Sequence, residues 1–160
     1  MTRSRLLLAL GALLVLGAVN YSIVAKESIK ANGETIYLDL APLDPRSLVQ
    51  GDYMALRFRL AQEIERSFAR GVKPLEGEKR LAPIKLDERR VASLAEAGGV
   101  PLQVRYRIRN GAVWLGTNAF FFEEGAQARY AKARYGEFRL DAASGEAVLV
   151  GLRDAKLAPL

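Results

Sequence analysis

The chain has 160 residues, half of them apolar and 26% charged, which suits one folded domain with an appendage and excludes a wholly disordered or wholly membrane-embedded protein. It has no Cys and no His, which removes disulfides, thiolate chemistry, the commonest transition-metal ligand and the commonest general base near neutral pH. A zinc site built from carboxylates alone is a poor expectation, and no cofactor or resident metal is expected. The formal charge is +6; Arg3 and Arg5 supply two of it, and the other basic residues are spread along the chain, so nucleic acid is not an expected partner.

Leu6 to Ala25 is an apolar run between Arg5 and Lys26, broken only by Asn20, Tyr21 and Ser22. At about 1.5 Å per helical residue such a run covers a hydrocarbon core of ~30 Å, with inner-membrane lipid as its surroundings. Arg3 and Arg5 ahead of the run place residues 1–5 in the cytoplasm and the rest across the inner membrane, in the periplasm. A cleaved leader is the alternative, but Ile23-Val24-Ala25 offers a small residue at only one of the two positions a cut requires. Residues 1–30 are therefore expected to form the cytoplasmic tip, anchor and stalk, and residues 31–160 the exported domain.

After Asn32-Gly33, the alternation of Ile36, Leu38 and Leu40 against Thr35, Tyr37 and Asp39 predicts a first strand. A corner dense in turn chemistry follows from Asp44-Pro45 to Gly51-Asp52. Beyond it Met54, Leu56, Phe58 and Leu60 alternate with Tyr53, Ala55, Arg57 and Arg59, which predicts a strand with one face in a core. Leu60, Ile64 and Phe68 are four apart and predict an amphipathic helix over 61–70 with Glu63, Glu65 and Arg66 on its polar side, stopped by Gly71. Residues 71–82 read as loop. Pro83–Leu86 and Val91–Leu94 read as strands around the turn Asp87–Arg90, with a helix over Val91–Ala97 as the alternative.

Leu102, Val104, Tyr106 and Ile108 alternate with Gln103, Arg105, Arg107 and Arg109, and Asn110-Gly111 then predicts a tight hairpin returning over Ala112–Leu115. Ala119–Phe122 reads as a strand, Gly125–Arg134 as a helix, and Tyr135–Asp141 with Ala147–Leu152 as a last hairpin. The expected fold class is α+β: one N-terminal transmembrane helix, then a mostly antiparallel, curled sheet of about eight strands with two short helices.

Gly51 to Phe58, GDYMALRF, resembles the signature of the GDYXXLXY family of bacterial membrane-anchored proteins. Gly51, Asp52, Tyr53 and Leu56 match it, and Phe58 stands where the signature ends in tyrosine. The patches 40–48, Phe122–Gly125, Ala133–Arg139, which contains Tyr135 and Glu137, and Val150–Leu152 are similar to the family as well. The resemblance implies an exported domain behind one anchor helix, in the company of a multi-pass membrane protein. It implies no activity.

Candidate binding residues are Asp44, Arg46, Asp52, Tyr53, Arg105, Arg107, Tyr135 and Glu137; none is expected to be catalytic. Asp44 and Asp52 could share a proton or a metal, but each more simply caps its own turn, with Arg46 drawn between them. Tyr53 is expected at a sheet edge with its hydroxyl bonded. Ser47 with a lysine, Lys85 being best placed, would imitate a serine–lysine hydrolase, though Ser47 lacks a glycine-rich elbow. Arg105, Arg107 and Arg109 read as a solvated strand face, or as a positive face for anionic headgroups or an acidic partner. Phe120–Phe122 reads as core, and Glu123, Glu124 and Glu137 are expected to meet Arg134 or Arg139. The expectation for function is a membrane-anchored periplasmic interaction or accessory module, the alternative an envelope hydrolase using Asp44 and Asp52 or Ser47 with a lysine.

Overall fold

The computed structural model describes residues 3–41, 53–68, 71, 74–96 and 102–160. The corner carrying Asp44, Arg46, Ser47, Gly51 and Asp52 lies outside the described residues.

Helix α1, Arg3–Asn32, is continuous. From Leu7 to Val24 its apolar side chains stand exposed, Leu8 at 74% and Tyr21 at 76%, and within α1 Leu7–Asn32 is long and apolar enough to cross a membrane. Such a helix is apolar all round, as lipid contact requires and a surface helix does not. The helix ends where the Gly33 N–H bonds the Ile29 carbonyl at 2.8 Å and the chain enters β1, Glu34–Asp39.

The remaining elements are β2 (Tyr53–Ala55), α2 (Arg59–Ser67), β3 (Lys79–Leu86), β4 (Ala92–Leu94), β5 (Leu102–Arg109), β6 (Ala112–Trp114), β7 (Ala119–Phe121), α3 (Gln127–Tyr130), β8 (Tyr135–Leu140) and β9 (Ala147–Arg153). Among the described residues the pairings between these strands are antiparallel, in the orders β1-β8-β9, β4-β3-β5-β6 and β2-β7. An isolated bridge from Tyr37 to Val91 joins the first two sheets, and the Arg105 N–H reaches the Gly145 carbonyl at 2.6 Å, so the sheets curl until the β8–β9 turn meets β5. Gly145 sits at φ +71°, and a Cβ there would fall 2.6 Å from Leu81 Cδ2, so a larger residue would be strained in this closure. Inside lie Ile36, Leu38, Ile84, Val104, Ile108, Phe138 and Leu140, all at most 2% exposed.

The alternating faces of β1, β5 and the run after Tyr53 hold: Met54, Leu56, Phe58 and Leu60 are all buried. The last of these runs is a strand only to Ala55, because Phe58 caps α2 and Leu60 is buried from the helix. The β5–β6 hairpin turns at Asn110 and Gly111 with φ of 51° and 73°, as a two-residue loop requires. Strand β3 starts at Lys79, inside the stretch read as loop, since Lys79 to Ile84 pair with β5. Helix α3 is shorter than 125–134 because the Arg134 backbone is taken by its neighbours: its carbonyl accepts from Leu40 N–H at 2.9 Å and its N–H donates to the Arg153 carbonyl at 2.7 Å. Phe120 and Phe122 pack on Tyr130, but Phe121 is 76% exposed and is not core.

Candidate functional site

The outer face of the four-stranded sheet carries an unusual row. Lys79 on β3 stands directly opposite Arg107 on β5, and Arg107 stands opposite Trp114 on β6. Two pairs along, on the same face, Leu81 opposes Arg105. Side chains directly opposite on neighbouring antiparallel strands are close enough to interact, and like charges there repel. Among the described residues Lys79, Arg105 and Arg107 make no ion pair. Asp141, an acid near Arg105 but outside the cleft that this row lines, has its carboxyl held below its ordinary range chiefly by the Ser144 hydroxyl, then by the Ala143 N–H, with a smaller pull from the charge of Arg105. Trp114 holds two guanidiniums by cation–π contact, Arg107 at 5.5 Å and Arg109 at 4.7 Å from its ring centre. Its indole N–H is buried and meets no hydrogen-bond partner among the described residues.

These cations line a cleft of about 530 Å³. Its lining includes Lys79, Arg105, Arg107 and Trp114, together with Phe121 from β7 and Val148 from β9. Lys26, seven residues before the end of the α1 turn at Gly33, lines it too and pairs with Glu146 at its edge. Because α1 ends against β8 and Arg139 Nη1 donates to the Gly33 carbonyl at 3.4 Å, the cleft lies beside the last turns of the apolar helix. Four cations thus face one acid, Glu146, which Lys26 already neutralises.

Tyr53 adjoins this cleft. It pairs with Phe121 across β2 and β7, ring centres 5.9 Å apart, and is 37% exposed. Its hydroxyl, expected to be bonded, finds no partner among the described residues. Leu56 and Phe58 of the same octapeptide are core, Phe58 meeting Phe138 edge-on at 5.3 Å.

Other expected residues fall elsewhere. Tyr135 lies on the outer face of β8 under the Arg89 guanidinium at 5.6 Å. Glu137 is 8% exposed and accepts from Arg153 Nη2 at 2.5 Å and Nε at 2.7 Å, instead of meeting Arg134 or Arg139. Arg134 turns to Asp39, which also pairs with Arg59 at 3.1 Å; this ionic knot is absent from the sequence-based expectations, since Asp39 reads only as the outward residue of a strand. Tyr135 and Glu137 therefore do not join the cleft. Lys85 stands opposite Ser93 in a depression with Glu63 and Ser67, and Ser47, its expected partner, lies outside the described residues. The described residues contain no metal-ligating cluster of carboxylates.

An apolar N-terminal helix followed by a curled antiparallel sheet, with Met54, Leu56 and Phe58 of the signature in the core and Tyr53 packed on a cleft residue, defines a class of candidate membrane-anchored β-rich proteins. The chain belongs to the GDYXXLXY protein family, which it matches over residues 15–152. No curated protein and no solved structure matches it.

Proposed function

We propose that this chain is a single-pass inner-membrane protein, with residues 26–160 in the periplasm, whose domain is a non-enzymatic accessory module docking on a multi-pass membrane protein. The observation that carries the reading is the position of the cationic cleft: Lys26, the first charge after the apolar run, lines it. A docking face held at the foot of an anchor meets membrane partners at high effective concentration, so modest affinity suffices. The exposed Tyr53–Phe121 pair at its edge supplies aromatic surface of the kind enriched at interfaces.

The test is extraction of the tagged full chain in mild detergent and affinity capture. One multi-pass membrane protein should be recovered in stoichiometric amount, and Arg105→Glu with Arg107→Glu should abolish recovery while leaving the melting temperature unchanged. No partner, together with turnover of an envelope substrate that Asp52→Asn abolishes, would replace the module with a hydrolase.

A further inference from the structure

We propose that the cleft between β5 and β9 binds the phosphate-bearing headgroup of an anionic phospholipid from the bilayer that holds α1. This goes beyond the docking reading and rests only on its placement of α1 in the membrane.

Local charge is the first ground. Lys79 and Arg107 are directly opposed across β3 and β5, and Arg105 follows on the same face, with no ion pair for any of the three among the described residues. Such an arrangement is unfavourable until an anion enters between the cations. A sequence that is locally consistent elsewhere commonly breaks a pairing rule at a functional site. Two guanidiniums match a phosphodiester, each offering a planar fork of donors to its oxygens. Trp114 holds the Arg107 guanidinium against its ring, which limits the freedom lost on binding.

Position is the second ground. The apolar run ends at Ala25, and Lys26 marks the level of the headgroups when the run spans the hydrocarbon. Lys26 lines the cleft, so the cleft opens at that level. A free anion would need only the cations. An amphiphile also needs apolar surface beside them: Phe121, 76% exposed, lines the same cleft, and Leu81, 48% exposed, stands opposite Arg105 on the neighbouring strand. The aromatic ring at the rim then lies where interfacial aromatics are favoured.

The single tryptophan of the chain is Trp114, a wall of the cleft, so its emission reports the occupant. The experiment titrates the full chain in uncharged detergent with phosphatidylglycerol, with phosphatidylcholine, and with inorganic phosphate. The expected result is a saturable emission change with phosphatidylglycerol alone, its midpoint raised at least tenfold by Arg105→Gln with Arg107→Gln. Circular dichroism melting confirms that the variant is folded, and Lys79→Gln alone should raise the midpoint by a smaller factor. An equal response to phosphatidylcholine, no response to phosphatidylglycerol, or an equal response to inorganic phosphate overturns the headgroup assignment. Its failure is separable from that of the docking reading: lipid silence with a protein partner still captured removes only the headgroup, and a saturable lipid response with no partner captured removes only the protein.

Discussion

Glu137 is the most deeply placed carboxylate of the described residues, and one oxygen of it takes both donors of Arg153. Glu137→Gln keeps the shape and removes the charge, leaving a partly covered guanidinium without its counter-ion. The expected loss is about 2 kcal/mol, the scale of a charge-assisted hydrogen bond. Urea unfolding checks it: the midpoint should fall with an unchanged slope, and an unmoved midpoint would mean that the pair contributes nothing. Sequence proximity points Glu137 at Arg139, two residues along the same strand. The actual partner is on the next strand: Arg153 lies opposite Tyr135, the diagonal neighbour of Glu137, beside the irregularity between Glu137 and Phe138. Strand register decides such pairs, and register is not readable from one sequence. The same holds for the cleft: Arg105 and Arg107 are visible as an alternating face, but Lys79 and Trp114 become their neighbours only when three strands align.

Helix α2 shows how an element can be found correctly and its role missed. The spacing of Leu60 and Ile64 identifies its buried face, and both are at most 2% exposed. Its carboxylates read as a solvated side, yet Glu63 accepts from the Leu94 N–H at 2.9 Å and Glu65 from the Val113 N–H at 2.8 Å. Those amides belong to β4 and β6, the two edge strands of the four-stranded sheet. One short helix thus straps both edges and satisfies N–H groups that would otherwise invite pairing with another chain. Amphipathic spacing reports which side of a helix meets the core; it carries no information on what the polar side reaches across. Glu65→Ala should cost roughly 1–3 kcal/mol, because it orphans a half-buried backbone donor as well as removing an acceptor. Hydrogen exchange provides the specific readout: the Val113 amide should lose protection ahead of β5, and uniform loss through the sheet would instead signal global destabilisation.

At the scale of the molecule, one number relates anchor to domain: the twenty residues from Leu6 to Ala25, which at about 1.5 Å each match a ~30 Å hydrocarbon core. Helix α1 continues past this run to Asn32, and Lys26 pairs with Glu146 in the β8–β9 connection, so the domain is held against the helix at the end of the apolar run and is not strung on a free linker. If Arg3 and Arg5 remain on the cytoplasmic side, that boundary is the periplasmic one and the cleft faces the outer leaflet of the inner membrane. Alkaline phosphatase fused after Leu160 should then be active, and a fluorescent reporter that matures only in the cytoplasm should be dark at the same site. Moving the charge tests the cause: Arg3→Glu with Arg5→Glu, combined with two lysines inserted after Lys26, should reduce phosphatase activity several-fold by disfavouring export. An active cytoplasmic reporter on the unaltered chain would invert the topology and place the cleft against the cytoplasmic leaflet. Full phosphatase activity in a soluble, shortened product would show instead that the helix is removed, separating Lys26 from the bilayer and with it the membrane placement of the cleft.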